Sequence, residues 1–180
     1  SDDETGLSPN FWGRAMGWFA MALVDVLDYF PEEHKDRQEL INILQRLMVG
    51  VSAFQDEETG LWYQVMNLPD GEGNYKEATV SAMMSYTMLK GVRMKYLDSM
   101  YLDLGVKAFD GLVNNLVEVD QDGEIQLHQC CAVAGLGGSP YRDGFYEYYI
   151  NEQIRSNDPK GTGPFILAGI ELELAMKKEK

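Results

Sequence analysis

Histidine and cysteine are scarce in this chain: two of each in 180 residues. The cysteines, Cys130 and Cys131, are neighbours, and adjacent cysteines make neither a useful staple nor a disulfide framework. His34 and His128 lie far apart, so no Cys/His set has metal-ligand spacing. No metal or organic cofactor is expected. Basic residues are also few, 15 against 29 acidic ones, for a net charge of −14. That balance excludes nucleic acid and an anionic membrane surface as partners, since both need a basic patch. It leaves room for a small acidic ligand held by one or two arginines. No apolar run reaches the roughly 18 residues that a membrane span needs. No basic segment followed by an apolar one marks a secretory leader, and nothing favours cytoplasm over periplasm. "GLGG" lacks the Lys-Ser/Thr of a phosphate loop, and "GTG" lacks a preceding strand.

What is present is a helical pattern. Hydrophobic residues make up 45% of the chain and charged ones 24%, as in a globular protein, and the length suits one domain. Ser8 and Pro9 read as N-cap and first helical position. Apolar residues from Phe11 to Phe30 follow helical spacing, and Pro31 marks the stop. Leu40 to Phe54 form a second helix, Glu77 to Gly91 a third, and Tyr101 to Leu116 a fourth. The stretch from Asp120 to Asn157 reads as long loops with short extended pieces, and "GTGPFILAGIELELAM" as a closing helix. The fold is therefore expected to be essentially all-α.

The organisation repeats loosely. "TGLSPNFWGRAMGWFAMAL", "TGLWYQVMNLPDGEGNYKEATVSAMMSYTML" and "DGEIQLHQCC…NDPKGTGPFILAGIEL" each join a glycine turn, an aromatic-rich loop and a helix that starts on small residues. Such periods indicate helical hairpins stacked on their neighbours. Gly17, Ser81, Ser85 and Gly169 suit the inner helices of a double-layered ring, of which about three hairpins would make half.

The stretches "SPNFWGRAMGWFAMALVDVLD", "QDEETGLWYQV", "YKEATVSAMMSYTMLKGV", "YRDGFYEYYINE" and "NDPKGTGPFILAGIELE" span nearly the whole chain. In them it resembles the C-terminal half of unsaturated rhamnogalacturonyl hydrolases, glycoside hydrolase family 105, relatives of the family 88 unsaturated glucuronyl hydrolases. The resemblance implies an (α/α)6 barrel, here about half of one as a single domain. It implies pectin-derived oligosaccharides with a terminal Δ4,5-unsaturated uronic acid as substrate. In that chemistry an aspartic acid protonates the enol-ether double bond and assists water addition, unlike the two-carboxylate scheme of ordinary glycosidases. The resemblance makes Trp12, Arg14 and Trp18 cleft residues, with Trp62 and Arg142 as weaker substrate-binding candidates.

The family's catalytic Asp sits in a "WLDGLYM"-like motif upstream of the "FWGRA" helix, and this chain holds no such motif. Neither Asp25 nor Asp143 lies in one, and "RDG" is turn chemistry. The catalytic residue is thus expected upstream of Ser1, the chain is expected to be an inactive piece, and self-association or a missing N-terminal half is expected to complete it. The rival readings are a non-catalytic carbohydrate-binding module and a helical-repeat interaction module. Bland roles are open for every candidate: a helix seam for the tryptophans, an ion pair for Arg14, structural duty for His128, wall positions for the cysteines and a solvated Lys160.

Overall fold

A computed structural model describes residues 4–177. Its described helices are α1 (Gly13–Val26), α2 (Arg37–Ser52), α3 (Ala78–Arg93), α4 (Met100–Asn115), α5 (Tyr146–Ile150) and α6 (Pro159–Lys177). Two antiparallel pairs complete it: β1 (Val117–Val119) with β2 (Ile125–Leu127), and β3 (Cys130–Cys131) with β4 (Ile154–Arg155). The chain is all-α in class, with strands confined to the irregular stretch.

Helix α3 is the centre. Fourteen of its residues, Ala78 through Gly91, are buried. It packs against α1 on one flank, α6 on the other and α4 behind, while α2 backs α1. The inner layer is thus α1, α3 and α6, and α2 and α4 lie outside it. Small residues let the inner helices approach. A Cβ on Gly17 would stand 2.6 Å from the Met83 sulfur, and one on Gly161 2.7 Å from that of Cys130. The glycines around Arg14 therefore serve helix contact more than space for a ligand: Gly13 faces Val80 and the Tyr63 carbonyl.

The first helix begins later than Ser8 and Pro9 suggest. Residues 8–12 instead pair with the segment after Trp62. The Met66 amide donates to the Phe11 carbonyl at 2.9 Å, the Phe11 amide to Asn67 Oδ1 at 2.7 Å, and Trp12 bridges Val65. Helix propensity loses there to tertiary hydrogen bonds. Trp12 becomes the N-cap residue, with no side-chain cap.

The inner helices run parallel: Gly13 meets Val80 and Gly161 meets Thr79 near their starts, while Asp25 meets Lys90 and Glu171 meets Arg93 toward their ends. At the C-terminal end Lys90 Nζ meets Asp25 at 2.7 Å and Asp28 at 2.6 Å, and the Tyr86 hydroxyl donates to Asp25 at 2.6 Å. Arg93 reaches Glu171 of α6 through a second bond of 2.7 Å. Lys90's side chain is 7% exposed, and although burial works against its charge, these partners hold its pKa well above the usual lysine value. Lys90→Met should cost about 2 kcal/mol in urea unfolding, less than a fully buried pair because both aspartates keep partial solvent contact.

Candidate active site

The other end of the inner layer gathers the starts of α1, α3 and α6 around Arg14. This side chain is buried, 2% exposed, and donates to the Cys131 carbonyl, with its other terminal nitrogen 3.7 Å from Cys131 Sγ. Its guanidinium carbon lies 5.3 Å from the Trp12 ring centre, and Trp12 stacks on Tyr149 at 5.6 Å and 24°. Gln64 donates to Cys131 Sγ at 3.1 Å and to the Tyr149 carbonyl at 3.2 Å. Cation, rings and strand β3 thus form one block.

Two carboxylates at helix starts face this block. Glu77, fully buried, caps α3: one oxygen accepts from the Val80 amide at 2.7 Å and the other from the Cys131 amide at 2.8 Å. Burial pushes the Glu77 carboxyl up, against the pull of those amides and of Arg14's charge. Asp158 precedes α6 and accepts from the Lys160 ammonium at 2.7 Å and the Lys160 amide at 3.0 Å. Burial raises it too, but Lys160, with Arg14's charge behind it, leaves it below the ordinary range. Lys160 is therefore paired with Asp158, not simply solvated.

The surrounding groups stay neutral. Burial above all raises Tyr75 and the Cys131 thiol, and burial lifts Cys130 to about 11. Buried Trp12 Nε1, Gln64 Oε1 and Tyr75 Oη meet no well-formed hydrogen bond within the protein. Such unpaired polar atoms are costly in a core and common at sites that receive a ligand or water. Helix α1 has neither a side-chain cap nor an acidic residue in its first turn, so its start favours an anion.

Above the block lies a cavity of about 510 Å³ between residues 6–16 and the 136–149 segment, walled by Asn10, Phe11, Trp12, Ala15, Leu136 and Tyr149. A second hollow of about 670 Å³ adjoins it through Leu7 and Ser8 and carries Tyr141, Asp143 and Phe145. Tyr141 and Phe145 are 77% and 61% exposed, which leaves their rings free to meet a ligand. Aromatic walls with a few polar groups are a usual design for small-ligand clefts, and ring faces stack well on sugars.

The sequence candidates do not all meet here. Trp12 and Arg14 do, with Arg14 beneath the ring rather than on the cavity wall. Trp18 sits on an exposed face of α1, 45% accessible. Trp62 is a core residue, 0% exposed, its indole donating to the Val51 carbonyl at 2.8 Å, so neither ring face is free for a sugar. Arg142 braces the cleft rim, donating from Nε to the Gly137 carbonyl at 2.9 Å. Asp143 accepts from the Phe145 amide at 3.1 Å, a turn bond. His128 joins Ser156 and Glu118, and Asp25 belongs to the opposite cluster. Glu77, Asp158, Gln64, Tyr75 and Tyr149 were not singled out. Asp158 and Glu77 each carry a local signal: Asp before Pro is an N-cap followed by the first helical position, and Glu77 opens the third helical pattern.

Parallel inner helices backed by an outer helical layer place the chain in the α/α toroid class. Residues 1–176 match the model of Glycosyl Hydrolase Family 88, and the chain belongs to that family. The 24.9 kDa protein in the picA locus of Rhizobium radiobacter is 39% identical over 177 residues, covering 95% of this chain and 75% of that protein. The unsaturated 3S-rhamnoglycuronyl hydrolase of Alteromonas sp. (strain LOR) is 25% identical over 91% of this chain and 35% of its own length. The solved family 105 glycoside hydrolase of C. acetobutylicum ATCC 824 superposes with a TM-score of 0.93 at 48% identity, over 97% of this chain and 48% of that one. The chain thus spans about half the length of the solved relative. The resemblance to family 105 and the α/α toroid class stand.

Proposed function

We propose that this chain forms the uronate-binding arc of a hydrolase acting on Δ4,5-unsaturated uronyl oligosaccharides from pectin. The observation that carries the reading is the Trp12–Tyr149 stack on the cleft floor with the Arg14 cation directly beneath it. The exposed rings of Tyr141 and Phe145 at the rim would hold the pyranose faces, above the edge of that stack. The uncapped start of α1, reinforced by Arg14, would draw the uronate carboxylate, the interaction for which a guanidinium is best suited.

The reaction would be protonation of the enol-ether double bond, water addition at the resulting cation and collapse of the hemiketal, which releases the next sugar. The proton donor would come from a carboxylate outside this chain. Glu77 has both oxygens occupied by backbone amides and Asp143 closes a turn, so neither is poised to give a proton to a cleft ligand.

The test uses an unsaturated rhamnogalacturonan disaccharide, with calorimetry for binding and loss of the unsaturated-uronate absorbance for reaction. The chain alone should bind the disaccharide and leave its double bond intact, and Phe145→Ala should weaken binding by at least about tenfold, as loss of one stacking ring does. Adding the complementary part of the barrel should start consumption. Consumption by the chain alone would place the acid among its own carboxylates, and absence of binding would remove the reading.

A further inference from the structure

The two hollows of the cleft differ in charge. The one at the Trp12–Tyr149 stack has no charged side chain in its wall, and its positive field comes from Arg14 and the start of α1 beneath. The second, of about 670 Å³, has one charged side chain among the described residues of its wall, the carboxylate of Asp143, and neither Lys nor Arg.

The chain builds that wall from every second residue. Tyr141, Asp143 and Phe145 line the hollow, while Arg142 between them turns back. Its Nε donates to the Gly137 carbonyl at 2.9 Å, and its guanidinium lies over Gly138, where an added Cβ would stand 3.0 Å from Nη2. The cation next in sequence to Asp143 is therefore folded behind the rim. Gly144 fixes the segment to the other side of the cleft: its φ of +74° is a glycine conformation, and its carbonyl accepts from buried Asn10 Nδ2 at 2.9 Å. Asp143 is exposed and spends Oδ1 on the Phe145 amide at 3.1 Å. Its Oδ2 has no hydrogen bond or ion pair among the described residues, so it is available to a ligand.

We propose that Asp143 makes the second hollow accept a neutral sugar beside the unsaturated uronate and turn away a second acidic one. The inference rests on the uronate reading of the adjoining hollow and names the residue that chooses the uronate's neighbour. A neutral sugar offers hydroxyls that donate to Oδ2 in charge-assisted bonds, while its face lies on the Tyr141 or Phe145 ring. A uronate in the same place would set its carboxylate against Asp143 with no cation in the wall to offset it. Specificity of that kind comes from the repulsive element as much as from the attractive one. The chain's net charge of −14 acts in the same direction.

Calorimetry on the whole chain tests it with three disaccharides that share the unsaturated uronyl unit. One is the rhamnogalacturonan disaccharide; the others are unsaturated digalacturonate with its reducing-end carboxyl either free or methyl-esterified. At about 0.01 M ionic strength, where charges reach roughly 30 Å, the free acid should bind at least about tenfold more weakly than its ester. The gap should close in about 1 M salt, where that reach is about 3 Å. Asp143→Asn keeps an oxygen for the Phe145 amide, so the turn persists, and it should bring acid and ester within about threefold of each other. Asp143→Lys should reverse their order. Equal affinities in the wild type, or tighter binding of the acid, overturn the proposal and leave the uronate reading standing. A tenfold preference for the ester that survives in Asp143→Asn does the same. Binding of the rhamnogalacturonan disaccharide but of neither digalacturonate would mean selection by shape, and overturns the assignment to Asp143's charge. Failure of all three to bind overturns the uronate reading, and the proposal with it.

Discussion

Glu77→Ala should destabilise the chain by about 3 kcal/mol, the combined scale of a lost helix cap and a buried amide left without its acceptor. The Val80 amide loses its cap and the Cys131 amide its partner, both in a place water does not reach. The effect should spread to the site, since the Cys131 carbonyl is what holds Arg14 under Trp12. Glu77→Gln keeps the shape but turns an NH2 toward one of those amide donors, so it should cost less than alanine yet remain clearly destabilising. The pH dependence has a definite sign. Burial raises the folded-state pKa of Glu77 above its unfolded value. Its contribution is therefore complete in acid and falls as pH rises through the folded pKa. The stability gap between wild type and Glu77→Gln should shrink from acid toward neutral pH in urea melts. A gap that widens would mean that the two amides and Arg14 outweigh burial and hold Glu77 ionised.

The helices were legible because their signal is local and periodic. Leu44, Met48 and Val51 mark the buried side of α2 in sequence as in space. The small residues of the leading helices announced close inner packing, which Gly17 against Met83 bears out. The start of α1 was misplaced because Ser8 and Pro9 carry good capping chemistry that pairing with residues 65–67 overrides. No local pattern contains that competition. Trp62 is an instructive case. "GLWYQV" has the composition of a sugar-binding loop, yet the indole faces inward to the Val51 carbonyl while its neighbour Tyr63 is only partly covered. Leu61, Trp62, Gln64, Val65 and Met66 are all buried, so no alternation in the sequence marks which of the two aromatics faces the core. Glu77 was hidden for a related reason. One of its partners is three residues away, but the other, Cys131, is 54 positions away. A residue that joins a helix start to a distant strand looks in sequence like an ordinary capping glutamate.

Arg14→Met should separate the two roles that its position suggests. Arg14's charge pulls down the carboxyls of both Glu77 and Asp158 in the folded state. Removing it raises both folded pKa values, and a carboxyl whose folded pKa has risen loses stability as pH rises through that value. The variant's deficit should thus be small in acid, where both carboxyls are protonated, and grow to about 3 kcal/mol at neutral pH, the scale of breaking a buried charge cluster. Urea unfolding from about pH 2 to about pH 7 measures it, starting roughly two units below the carboxylate range so that both groups begin protonated. Ligand binding gives the second readout. If Arg14 draws the uronate, Arg14→Met should weaken the unsaturated disaccharide acid at least about tenfold, the worth of one charge-assisted contact, and barely change its methyl ester. Equal losses for acid and ester would assign Arg14 to holding Trp12 against Tyr149. Loss for the acid alone would make the buried guanidinium the anion selector of the cleft, acting from behind the Trp12–Tyr149 stack that floors it.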